Sequence, residues 1–172
     1  MSRRFVVRHA APADAPALVE LGRSVGAEPE GWLIADSTWR EPGDERRYLR
    51  SLRRYEGAAV FVAEGAEGIV GRLSIARDSH PASAHVADLG LMVASSARRR
   101  GVGTALLEAA VEWGRGLGVC KLELHVFPHN TPAIALYDRF GFVREGYRRA
   151  HYRRGREYVD AILMAYEVGS RG

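Results

Sequence analysis

The chain has a single cysteine, a single lysine and no apolar stretch approaching the roughly 20 residues that cross a bilayer. Cys120 alone cannot form an internal disulfide, and its apolar surroundings suit an inert, buried thiol better than a nucleophile. The opening "MSRRFVVRHAAPAD" starts basic, but Asp14 interrupts it before an apolar run of signal-peptide length develops, so an unprocessed, cytoplasmic protein is expected. No Gly-Lys-Ser/Thr follows a glycine-rich turn, which excludes the Walker phosphate loop. The third glycine and downstream acid of the dinucleotide fingerprint are also out of place. His125 and His129 straddle a strand-to-loop change and need not converge, and a zinc site needs three or four ligands, so no metal is expected.

What is present is a globular composition, 47% hydrophobic and 27% charged over 172 residues, the size of one domain spanning residues 1–172. A net charge of +4 and a pI near 9.6 favour an anionic ligand. The basic residues are spread along the chain, which suits a phosphorylated small molecule as well as nucleic acid. Residues 5–9 read as a strand, and Asp14 as the cap of a helix carrying Leu18, Val19 and Leu21. Residues 27–42 lose all periodicity and hold Trp32 and Trp39, the pattern either of a lid or of two rings plugging the core edge. A charged helix around Tyr48, Leu49 and Leu52 follows, then three strands, "AAVFVAEG", "GIVGRLSIARD" and "AHVADLGLMV", whose short connections make them antiparallel neighbours. A helix with an apolar stripe of Val102, Ala105, Leu106, Ala109, Trp113 and Leu117 leads to the strand "CKLELHVF", giving a parallel β-α-β unit. A short helix with Pro132 in its first turn ends at Gly141, and two strands flanking an arginine-rich connection close the chain. The expected fold is therefore α/β: a mixed, mostly antiparallel sheet with one parallel β-α-β unit and helices on both faces.

The join "ARRRGVG" sets Arg98, Arg99 and Arg100 with Gly101 and Gly103 against the first turn of the long helix. Free N–H groups and the helix dipole attract an anion there, and glycine lets it come close, which describes a pyrophosphate cradle. The stretch resembles the Arg/Gln-x-x-Gly-x-Gly/Ala signature of the GNAT N-acetyltransferases through Arg98, Gly101 and Gly103. The blocks "HVADLGLMV", "LELHVFPHNTPAIALYDRFGF" and "GREYVDAILMA" are similar to family blocks in the same order, so the likeness covers roughly residues 85–165. In look it is nearest to bacterial amino-acid and phosphinothricin-type enzymes.

The resemblance implies a GNAT-like fold and acetyl-CoA as co-substrate. Leu91, Met92 and Val93 would offer backbone groups to the pantetheine arm and acetyl carbonyl. The pyrophosphate would rest on the amides of Arg99, Arg100, Gly101, Val102, Gly103 and Thr104. Asn130 matches the family residue that meets pantetheine, Arg139 lies near the nucleotide end, and Tyr137 matches the tyrosine beside the thioester sulfur. A phenol of pKa near ~10 stays protonated at neutral pH and can donate to the leaving thiolate. The attacking amine must be neutral. A lysine-like amine of pKa ~10.4 is free in only about 1 molecule in 2,500 at pH 7, a deficit of roughly 4.6 kcal/mol, so a base is useful. Asp88 and Glu123 are candidates for that base, and Trp32, Trp39, His85 and Asp160 for contacts with the acceptor. Each carboxylate has the plain alternative of a salt bridge to one of the many arginines. The acceptor is expected to be a small primary amine, an amino acid or a similar compound, with nucleic acid and membrane excluded as partners and a homodimer expected. Acetylation of a protein N-terminus or ribosomal protein is the alternative within enzymes. A non-catalytic module binding acyl-CoA or RNA is the alternative outside them.

Overall fold

A computed structural model describes residues 4–34 and 40–169. Seven strands form one sheet in the order β1-β2-β3-β4-β5-β7-β6. They are β1 (Phe5–His9), β2 (Ala58–Gly65), β3 (Gly68–Arg77), β4 (Val86–Val93), β5 (Lys121–Val126), β6 (Val143–Arg154) and β7 (Glu157–Glu167). Helices α1 (Ala15–Gly26) and α2 (Pro42–Ser51) lie between β1 and β2, α3 (Val102–Gly116) between β4 and β5, and α4 (Thr131–Phe140) between β5 and β6. Every pairing is antiparallel except β4 with β5. The element order and the single parallel unit are those the sequence implies. No described helix is long and apolar enough to cross a membrane.

Alternation along β2 explains the two layers. Ala59, Phe61 and Ala63 point into the core beneath α3, while Val60 and Val62 pack against Ala15, Leu18 and Leu49 of α1 and α2. A strand buried on both faces needs an unbroken apolar run, which "AAVFVA" supplies. Helix α3 seats itself on Val102, Leu106, Leu107, Ala110 and Val111, all buried, whereas Ala109, Trp113 and Leu117 only flank the contact. The seat is thus rotated from the stripe expected.

Two local readings change. Asp14 precedes α1 but makes no cap contact with it: its carboxylate accepts the Ala11 N–H at 2.7 Å and both terminal nitrogens of Arg8, which holds it below the usual carboxylate range. The arginine-rich segment expected as a connection is strand instead, since β6 runs through it to Arg154 and turns at Gly155 with φ +60°. The strand is irregular at two places, one between Arg144 and Gly146 and one between Arg148 and Tyr152.

Candidate active site

The parallel pair β4–β5 is bonded only through Val86–Lys121, Ala87–Leu122 and Asp88–Glu123. Beyond that last pair both strands continue but separate, and the opening between them is a cleft of about 860 Å³. Its walls come from Leu91, Met92 and Val93 of β4, Gly101 to Thr104 at the head of α3, His125 and Val126 of β5, and Asn130, Tyr137 and Arg139 of α4. Trp32 and, from β3, Arg72 and Ser74 complete it.

At one end the cleft meets the start of α3. No side chain caps that helix, so its first amides are open to an anion. Gly101 has φ +83° with open space where a Cβ would sit, so glycine is needed there for backbone conformation. Gly103 is different: a Cβ would lie 2.6 Å from Leu136 Cδ2 and 3.7 Å from Leu91 Cδ2, so its smallness lets α3 approach α4. Arg99 lines the cleft with φ +59°, whereas Arg100 is exposed and outside the lining. Arg98, although at the cleft, is already engaged. Its Nε donates to the Val93 carbonyl at 3.1 Å, and its terminal nitrogens donate to both oxygens of Glu28 at 2.7 and 2.6 Å.

Glu28 also accepts the Trp32 indole N–H at 3.0 Å, so one carboxylate joins the signature loop to the segment after α1. Trp32 stacks on His129, with ring centroids 6.0 Å apart. His129 Nε2–H donates to the Glu30 and Gly31 carbonyls, and Arg154 donates to Gly31 as well. Trp32 is thus a pinned wall of the cleft. Trp39 lies outside the described residues.

The other end is where the strands part. Tyr137 is buried against Phe142, and burial pushes its phenol above the ordinary range, keeping it protonated. Asn130 lines the same groove and caps α4 by accepting the Ala133 N–H at 3.3 Å. Asp88 sits at the vertex, open to solvent yet crowded by protein. That burial, with the Glu123 carboxylate opposite, pushes its carboxyl up to about 6. Glu123 is held by Lys121 Nζ at 2.9 Å, and the same ammonium reaches Glu145 at 2.8 Å. Of the two carboxylates, Glu123 is therefore the one with a cation beside it, and among the described residues Asp88 has no such ion pair.

Two sequence candidates stand elsewhere. His85 precedes β4, at the end of the β4–β5 pair away from the cleft, where its carbonyl accepts the Cys120 and Lys121 N–H groups. The β3–β4 register runs unbroken from Ala87 to Val93, so no bulge turns the strand to bring it round. Asp160 accepts the Tyr147 hydroxyl at 2.6 Å and the Ala150 N–H at 2.7 Å, contacts that hold its carboxyl low and bind it to the β6 hairpin. Conversely, the cleft includes residues the sequence reading did not select. Arg72, buried on β3, shares the fully buried Glu45 with Arg40 at 3.2 Å each. His125 meets Tyr152, with Nδ1 2.7 Å from the hydroxyl.

Known proteins resemble this chain in sequence and in fold. Residues 28–142 match the Acetyltransferase (GNAT) family. The L-amino acid N-acetyltransferase AaaT of Escherichia coli (strain K12) is 34% identical over 169 residues, covering 94% of this chain and 96% of that protein. A GNAT-family acetyltransferase from Streptococcus pneumoniae superposes with a TM-score of 0.86 at 26% identity, covering 96% of this chain and 99% of that one. A phosphinothricin acetyltransferase from Sinorhizobium meliloti, solved in complex with AcCoA, shares the fold with a TM-score of 0.81 at 21% identity, over 96% and 89% of the two chains. With its signature turn, its cleft and its near-full-length match in agreement, the chain belongs to the GNAT family of acetyltransferases.

Proposed function

We propose that this protein transfers the acetyl group of acetyl-CoA to the primary amine of a small molecule, an amino acid or an amino-acid-like compound. The residues fit the donor. The open first turn of α3, with Gly101 left-handed, suits its pyrophosphate, and the cleft leads from there past Leu91, Met92 and Val93 to Tyr137. Bound there, acetyl-CoA supplies a thioester whose carbonyl carbon an amine can attack and whose thiolate can leave. Tyr137, protonated by burial, donates the proton that the thiolate needs. Asp88, ionised above about pH 6, attracts the acceptor's ammonium group to the vertex of the cleft.

The observation that carries the small-acceptor reading is a carboxylate at the vertex of a cleft that has a pinned aromatic wall. Asp88 stands where β4 and β5 part, to attract an amine, and Trp32, pinned by Glu28 and His129, walls the cleft. The full-length similarity to an L-amino acid N-acetyltransferase supports the same class. The test is thiol release from acetyl-CoA across L-amino acids, polyamines, aminoglycosides and a peptide with a free N-terminus. Turnover confined to amino acids supports the reading, and turnover confined to the peptide overturns it.

A further inference from the structure

His125 lies two residues beyond Glu123 on β5, on the same side of the strand, and its ring lines the cleft. Its contact with Tyr152 depends on the second irregularity of β6. Arg148 is paired with Ala161 and Tyr152 with Val159, so two extra residues are taken up between them. An unbroken strand would set Ala150 opposite Val159 and carry Tyr152 about 7 Å further along. The bulge instead draws Tyr152 back to His125, its hydroxyl 2.7 Å from Nδ1. Ala150 takes φ +47° within the bulge, and Asp160 holds it there through the Ala150 N–H. His151, carried on the same bulge, packs edge-on against His125 with ring centroids 5.3 Å apart.

We propose that His125 takes up the proton released by the acceptor nitrogen during acetyl transfer, with Tyr152 fixing the ring so that Nε2 is the bare, accepting nitrogen. The inference rests on the acetyl-transfer reading of this cleft. In the step, the amine nitrogen bonds to the acetyl carbon and the carbon–sulfur bond breaks. The nitrogen's proton passes to His125 Nε2, the thiolate takes one from Tyr137, and solvent later returns a proton to Tyr137 and removes one from His125. For this the Nδ1–H must donate to the Tyr152 oxygen. The groups acting on the ring are Glu123 on its own strand and Arg148, His151 and Tyr152 on β6, while Asp88 on β4 acts on Tyr152. Burial, Arg148 and His151 hold the imidazole below its ordinary range against the opposing pull of Glu123, so it is neutral and able to accept at pH 7. Asp88, nearby enough to raise the Tyr152 phenol, keeps the separate role of attracting the cation.

The test combines kinetics with nitrogen-15 NMR of the imidazole. In wild type the His125 signals should report the Nδ1–H tautomer at pH 7, and the Nε2–H tautomer would overturn the proposal whatever the kinetics. His125→Gln should lower kcat by about 10²–10⁴ while the KM for acetyl-CoA changes by less than about twofold. His125→Ala should regain part of its lost rate with added imidazole. Tyr152→Phe, at a positioning residue, should lower kcat less, roughly tenfold, and give mixed tautomer signals. A His125→Gln variant within about threefold of wild-type kcat refutes the proposal and leaves the acetyl-transfer reading standing. A wild type that releases no thiol with any amine removes both.

Discussion

Arg98 offers two opposed readings that one substitution separates. If it were a phosphate ligand restrained by Glu28, Glu28→Gln would release it and tighten acetyl-CoA binding. If it is a clamp, the same change loosens the loop that presents the α3 amides and weakens binding. The geometry supports the clamp, because three guanidinium donors are spent on Glu28 and the Val93 carbonyl. The pair is partly buried, with side chains 32% and 18% exposed, so its worth lies between the ~0.2–1 kcal/mol of an exposed pair and the ~3–5 kcal/mol lost when a buried one is broken. With part of the Trp32 hydrogen bond included, about 2 kcal/mol is expected, or a fall in Tm of roughly 4–8 °C for a domain of this size. Calorimetry and steady-state kinetics on Glu28→Gln should show that fall, together with a rise in KM for both acetyl-CoA and the amine and little change in kcat. Tighter acetyl-CoA binding with an unchanged Tm would refute the clamp.

The remaining predictions concern the cradle and the vertex. Gly101→Ala places a side chain at φ +83° without any clash, so a conformational cost of about 1–2 kcal/mol should appear as a Tm lowered by a few degrees, with acetyl-CoA KM raised in the same assay. Asp88 has a folded-state pKa above its unfolded value, so its ionisation opposes folding as pH rises from ~4 through about 6. Asp88→Asn should therefore match wild type in Tm near pH 4 and exceed it at pH 8, while losing turnover; equal melting curves at both pH values would contradict the raised pKa of that carboxyl.

Element order and the β-α-β unit were readable because β2 and α3 each carry an apolar pattern that only one structure can bury. Gly101 and Tyr137 were singled out because the resemblance and the local chemistry agree on them, and both line the cleft. What sequence could not supply was which side chains meet across the sheet. Alternation sets His125 on a face, but its partner Tyr152 arrives through a two-residue irregularity that no spacing rule announces. Glu28 and Arg98 are 70 positions apart, so the signature arginine read as a free cation. Gly103 was credited to the anion alone, and nothing in the sequence signals that Leu136 also packs where its Cβ would be. Asp160 broke an apolar strand, which drew attention to it, and the cause proved to be a backbone N–H at Ala150 that needed an acceptor. Arg72 carried no signal at all, since a single arginine inside a strand reads as surface until a partner such as Glu45 of α2 is seen.

The central claim is acetyl transfer to a small amine with Tyr137 as the proton donor to sulfur, and free-thiol release from acetyl-CoA with an L-amino acid panel tests it most directly, with wild type and Tyr137→Phe run side by side. The account predicts turnover by wild type and a kcat lowered about 10²–10⁴ in Tyr137→Phe with acetyl-CoA binding retained. Wild type that binds acetyl-CoA but releases no thiol with any amine, or a Tyr137→Phe variant as fast as wild type, would contradict it.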